Sequence, residues 1–276
     1  MDSSAWEDCS DSGAMLDALL SAHDPSERKL RLFALASAYW RAPGFFPYEQ
    51  AEQLAEGRLS YKVAVLRAQE WQDGRDHTVV WRESYIFRVR AKDAASEAIR
   101  YWRRIYGTDG PLADLLRDVF GDPCRKDHVH LPYHRRVELV TPTVLSLAQA
   151  AYESRLLAPC PVCKGTGGSE YRDCDRCKAS GQVDKHHLDP VRLQVLADAL
   201  EDAGCENAII LEHMRGAPCP FCKDALFDVG DSGNAFGFPQ LRAHVAKQCA
   251  CRGTRKAPLL PHARGCWALD LVLGRS

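Results

Sequence analysis

The chain is predicted to be mainly α-helical, with small cysteine-rich insertions, from three observations. Apolar residues recur at three- and four-residue spacing in one short segment after another. Ser, Thr or Asp precedes several of these segments, and Gly or Pro follows them. The cysteine pairs fall between the segments, in stretches rich in Gly, Pro and charged residues.

In chain order, residues 14–22 (Ala-Met-Leu-Asp-Ala-Leu-Leu-Ser-Ala) give a first helix. Ser26 caps a second, which runs through Lys29-Leu-Arg-Leu-Phe-Ala-Leu-Ala and stops at Pro43-Gly44. Tyr48 to Glu56 forms a third, ended by Gly57, and Ser60 caps a fourth that reaches Gln72. Residues 78–90 stay open between strand, favoured by their β-branched and aromatic content, and helix, favoured by their neighbours. Asp93 to Tyr106 is helical and ends before Gly107. Gly107-Thr-Asp-Gly-Pro111 marks a boundary between an N-terminal helical region, 1–107, and a C-terminal helical domain, 108–276. Beyond it, Leu112 to Phe120 is helical, and 121–140 reads as irregular. Thr141-Pro142 and Asp189-Pro190 each open a helix with a capping side chain followed by proline in the first turn. These helices run to about Arg155 and Ala203, and shorter ones follow at about 206–214 and 265–273.

With 276 residues, 46% hydrophobic and 26% charged, the chain can bury one large or two modest cores. Its formal net charge of −1 gives no global field toward nucleic acid or membrane. No run approaches the roughly 18 apolar residues of a membrane span. Met1-Asp-Ser-Ser-Ala-Trp-Glu-Asp lacks the basic-then-apolar pattern of a signal peptide, so a cytoplasmic location is expected. Disulfides are rare there, so twelve cysteines require another explanation.

Metal binding supplies it. Cys160-Pro-Val-Cys163 and Cys174-Asp-Arg-Cys177 offer four thiolates, the ligand set of a closed tetrahedral zinc site. Gly165, Gly167 and Gly181 follow the pairs, where the backbone must turn tightly to aim N–H groups at sulfur. A redox CxxC would sit at a helix N-terminus in a βαβ setting, which neither pair has. A second ligand set is Cys219-Pro-Phe-Cys222, His244 and Cys249, with Cys251 in reserve; Leu241-Arg-Ala-His244 followed by Cys249 reads as the second half of a zinc-finger helix. Whether His244 or Cys251 completes that site stays open. Two zinc ions per chain are expected, in insertions at 158–187 and 217–261. Cys205 and Cys266, beside apolar helix residues, read as small buried hydrophobes. His128, His130 and His134 read as surface loop histidines.

Trp6-Glu-Asp-Cys9, Arg28-Lys-Leu-Arg-Leu-Phe33, Leu115-Leu-Arg-Asp-Val-Phe-Gly121, Leu196-Ala-Asp-Ala-Leu-Glu-Asp-Ala-Gly-Cys205 and Arg264-Gly-Cys-Trp267 resemble recurring phrases of an uncharacterised helical protein family abundant in planctomycete bacteria. That resemblance spans scattered blocks over about half the chain and implies a helical fold with no activity attached. The usual members lack the two cysteine-rich insertions. The first insertion separately resembles the CxxCxGxG zinc knuckles of the DnaJ-type chaperone region. Two knuckles stand here in place of four, Cys177-Lys-Ala-Ser-Gly181 departs from the full pattern, and the His-Pro-Asp signature of a J-domain is missing from the sequence.

The zinc deaminase His-x-Glu, HExxH, Walker A, GxSxG and GxGxxG motifs are missing as well. With closed metal sites, the sequence therefore predicts a non-catalytic zinc-stabilised interaction protein with a protein partner. The alternative is nucleic-acid binding through the second module, where Arg242, Lys247, Arg252, Arg255 and Lys256 are the charged residues of 242–256. A further alternative is an enzyme whose site carries no familiar motif.

Overall fold

The computed structural model describes residues 1–41, 48–73, 86–107, 111–124, 133–154, 157–160, 163–169, 172–174, 177, 179–184, 187–215 and 262–275. These residues are mainly helical. The first seven helices are α1 (Ser3–Asp8), α2 (Ser12–Ala22), α3 (Glu27–Arg41), α4 (Tyr48–Ala55), α5 (Tyr61–Asp73), α6 (Ala91–Tyr106) and α7 (Leu112–Phe120). They are followed by α8 (Tyr133–Leu139), α9 (Pro142–Glu153), α10 (Pro190–Asp202), α11 (Ala208–Arg215) and α12 (Trp267–Leu273). Four short strands, β1 (Leu157–Pro159), β2 (Gly168–Ser169), β3 (Arg172–Asp173) and β4 (Gln182–Asp184), lie between α9 and α10.

The first helical core is built around α3, which packs against α4, α6 and α7. Leu30, Leu32, Phe33, Ala34, Leu35, Ala38 and Tyr39 are all buried, so α3 is apolar around most of its circumference, as a central helix should be. Its one awkward residue, Arg31, is buried too, and donates to the carbonyls of Arg88 at 3.0 Å and Val89 at 2.7 Å. That gives each terminal nitrogen of a desolvated guanidinium an acceptor. Helix α6 lays Ala94, Ala95, Ala98, Ile99 and Trp102 against this core, and small alanines let the two helices approach closely.

The second core joins α9, α10, α11 and α12 through Val144, Ala148, Tyr152, Leu193, Leu196, Leu200, Ile210, Met214, Leu269 and Val272. Thr141 accepts from the Val144 amide at 3.2 Å and Asp189 from the Val191 amide at 2.9 Å, so both expected caps form ahead of their prolines.

Helix α12 also touches α7, and Ala263 just before it belongs to the first core. Charged groups close this junction. Arg28 of α3 donates to Asp270 of α12 at 2.7 Å, to Glu56 at 3.0 Å and to the Tyr152 hydroxyl at 3.0 Å. Arg264 pairs with Glu52, both almost fully buried.

Three local features differ from the sequence reading. Helix α1 was not anticipated; Asp2 caps it by accepting from the Ala5 amide at 2.8 Å, and its single turn-and-a-half exists to bury Trp6. Helix α8 falls in the stretch read as irregular. Its Val137 is exposed and its Leu139 buried, too few core contacts to generate a visible period. Of the ambiguous segment 78–90, residues 78–85 lie outside the described residues, and Ile86 and Phe87 form a short 3₁₀ turn buried in the first core.

Candidate metal centres

The four short strands frame the first cysteine group. Strands β1 and β4 pair antiparallel, Leu157 opposite Asp184, and β2 pairs with β3, Gly168 opposite Asp173. The two knuckles grip each other: the Cys160 amide donates to the Gly181 carbonyl at 2.8 Å, and the Cys174 amide to the Gly167 carbonyl at 2.8 Å. Within each knuckle a hydroxyl residue folds back on the second cysteine. Thr166 donates to the Cys163 carbonyl at 2.8 Å, and Ser180 to the Cys177 carbonyl at 2.7 Å.

This arrangement brings Cys160, Cys163, Cys174 and Cys177 together, with every sulfur within 4.8 Å of the others. The Cys160–Cys174 sulfurs are 3.8 Å apart and the Cys163–Cys177 sulfurs 3.6 Å. A tetrahedron with Zn–S bonds of about 2.3 Å has sulfur–sulfur edges of about 3.8 Å, so the spacing suits one ion. The Gly167 amide points at Cys163 Sγ at 3.3 Å and the Gly181 amide at Cys177 Sγ at 3.2 Å. Although desolvation works the other way, the Gly167 and Gly165 amides and the neighbouring thiols pull the Cys163 thiol down to about 6. Loss of solvent and the adjacent Cys163 push Cys177 up to about 11. One thiolate is thus prepared before any metal arrives, and amides that stabilise it serve the metal-bound sulfur equally.

Gly181 is required by geometry. At φ +71 it occupies the left-handed region, and a Cβ there would lie 2.3 Å from the Gly165 carbonyl oxygen.

Cys219, Cys222, His244, Cys249 and Cys251 lie outside the described residues, as do the basic stretch 242–256, His128 and His130.

A second donor group was not foreseen. Asp118 of α7, His213 of α11, and His262 and Cys266 ahead of α12 also bring their ligand atoms within 4.8 Å of one another. Both groups fit a metal ion. Cys266, expected to be a plain buried hydrophobe, is indeed buried, but its sulfur sits 3.2 Å from His213 Nε2. Burial works against charge on both histidines, yet the neighbouring Cys266 and Asp118 raise His213 to about 9, and Asp118 raises His262 in the same direction. Burial likewise opposes ionisation of Asp118, and the two histidines outweigh it, holding the carboxyl far below its usual range. For Cys266, burial and Asp118 both raise the thiol, and the same histidines prevail and lower it. The only sequence signal was the pairing of His262 and Cys266 within five residues of each other; their partners come from distant helices.

The chain matches no protein-family model, no curated protein and no solved structure. The family resemblance therefore gains no independent support, and of the knuckle resemblance the structure bears out the convergence of the four cysteines alone. Among the described residues, no helix is long and apolar enough to cross a membrane.

Proposed function

We propose that the chain is a non-catalytic interaction protein whose cysteine module is held by zinc and displayed to a protein partner. The observation that carries this reading is the closed thiol quartet of Cys160, Cys163, Cys174 and Cys177. Sulfurs all within 4.8 Å of one another enclose a single ion and leave no room for a multi-iron cluster. Four protein donors leave no coordination position for substrate or activated water, so the ion builds a shape.

Two further features favour display. The buried cysteines form a cluster of their own, apart from both helical cores, so the module is an appendage with its own metal-dependent centre. Exposed apolar side chains flank it in sequence, Leu157 before it and Val191 and Val195 after it on α10.

An enzymatic reading needs a polar cleft with an available acid, base or nucleophile. The cleft bordered by Glu52, Glu56, Arg58, Tyr152, Glu153, Arg264 and Arg275 has its two sheltered carboxylates engaged, Glu52 with Arg264 and Glu56 with Arg28, and its third, Glu153, is exposed on the rim. Such paired charges suit a structural junction better than proton transfer.

Affinity capture from nuclease-treated native lysate tests the proposal, using the full chain and its Cys174→Ser variant side by side. The expected result is a defined protein set retained by the wild type and lost with the variant. Loss of all binding on nuclease treatment, with salt-sensitive retention of RNA or DNA, would favour the nucleic-acid alternative. An identical set with both proteins would remove the module from partner binding.

A further inference from the structure

We propose that Asp118, His213, His262 and Cys266 form a second metal site, which binds a divalent ion of zinc type and staples the two helical cores together.

Convergence is the first argument. The four donors come from three places in the chain: α7, which belongs to the first core, α11, and the turn before α12 in the second. His213 Nε2 lies 3.3 Å from Asp118 Oδ1 and 3.2 Å from Cys266 Sγ. Tetrahedral zinc with nitrogen, oxygen and sulfur ligands has edges of roughly 3.3–3.6 Å, so the first separation matches and the second needs to open by only about 0.3 Å for the atoms to share one ion. A third edge, His262 Nδ1 to Asp118 Oδ1, is 2.5 Å, a proton-sharing distance that would open by about 0.8 Å as an ion replaced the proton.

The same geometry argues against a Cys–His–Asp catalytic relay. A relay histidine uses opposite ring nitrogens, one for the nucleophile and one for the carboxylate. Here a single nitrogen of His213 faces both the thiol and the carboxylate. Cys266 is completely buried, so no substrate reaches its sulfur.

The surroundings hold the donors in place. Asp118 Oδ2 accepts from the Ala263 amide at 2.7 Å, which fixes the carboxylate and leaves Oδ1 for the centre. The His213 ring packs 4.7 Å from that of His262 and 4.9 Å from that of Trp267. Gly265, at φ +97 and so close to Leu32 that a Cβ would come within 2.9 Å, lets the chain reverse between His262 and Cys266 against α3. The nearby ammonium of Lys29 donates to the Val119 carbonyl at 2.9 Å.

Charge completes the case. One carboxylate and one thiolate balance a divalent ion, with two neutral imidazoles filling the coordination shell. Without it, the buried carboxylate and thiol are balanced only by one buried and one partly exposed histidine. A mixed nitrogen, sulfur and oxygen set selects zinc-type ions over magnesium or calcium. All four positions are protein, so the ion joins elements and performs no hydrolysis.

Cadmium-113 magnetic resonance of the full-length protein, with zinc exchanged for cadmium, provides the test. The resonance position depends on how many thiolates bind the ion, so a one-sulfur site separates from the four-sulfur knuckle and from the sulfur-rich set expected in 217–261. A resonance of one-sulfur type, at about one equivalent and missing from Cys266→Ser, is expected. Its absence from the folded wild type overturns the proposal, whether or not the variant folds. Retention of the resonance in soluble, helical Cys266→Ser overturns the ligand assignment. The knuckle resonance reports separately, so failure here is distinguishable from failure of the first site.

Discussion

Ala179 stands where the first knuckle has Gly165, and both adopt positive φ, +66 and +92. For a residue with a Cβ this region costs about 1 kcal/mol or more. Ala179→Gly should therefore tighten zinc binding about fivefold in competition with a chromophoric chelator. Gly181→Ala should act in the opposite direction and more strongly, because its Cβ meets the Gly165 carbonyl; a weakening of roughly 30-fold corresponds to about 2 kcal/mol. Proton release offers a check on Cys163. Its thiol is lowered to about 6, so at pH 7.5 it is already largely ionised in the metal-free protein. Zinc uptake should then release fewer than the four protons that four neutral thiols would give, and the number should rise as pH falls through 6. Calorimetry in buffers of different ionisation enthalpy measures it. The knuckle cysteines were legible because their spacing is local and each pair sits on one tight turn. The quartet at Asp118 was not, because Asp118 and His262 are 144 residues apart and only the packing of α7 against α12 brings them together.

At the level of elements, the knuckle strands are two or three residues long and pair only in twos, too short to persist on hydrogen bonds alone. If the four cysteines hold an ion as proposed, it supplies the order that the strands lack. Chelation should make 157–184 protease-sensitive within the full chain while most helical circular dichroism remains; global loss of helix would contradict a separately supported module. The helices were readable where caps and a buried face coincide, as in Thr141-Pro142 with Val144, Ala148 and Ala151. They were unreadable where length or burial is small. Helix α1 has one buried side chain, and so does α8 among its described side chains, 136–139, and no periodicity can be counted from a single residue.

Across the described residues, charged groups join the two helical cores beside the packing of α12 on α7. Arg28 reaches Asp270, Glu56 and Tyr152 at once, and Asp270 is 1% exposed. Arg28→Met should strand that carboxylate and destabilise the protein by about 3 kcal/mol, read as a lowered denaturation midpoint. None of this junction was visible in the sequence, because ion pairs between distant helices leave no local pattern. What was visible, the mainly helical fold and the thiol quartet, carries the central claim that one metal ion organises the knuckle module. Native mass spectrometry of the wild type beside Cys174→Ser tests that claim most directly. The variant should carry one zinc ion fewer than the wild type; a metal-free wild type, or equal zinc counts in the two proteins, would contradict it.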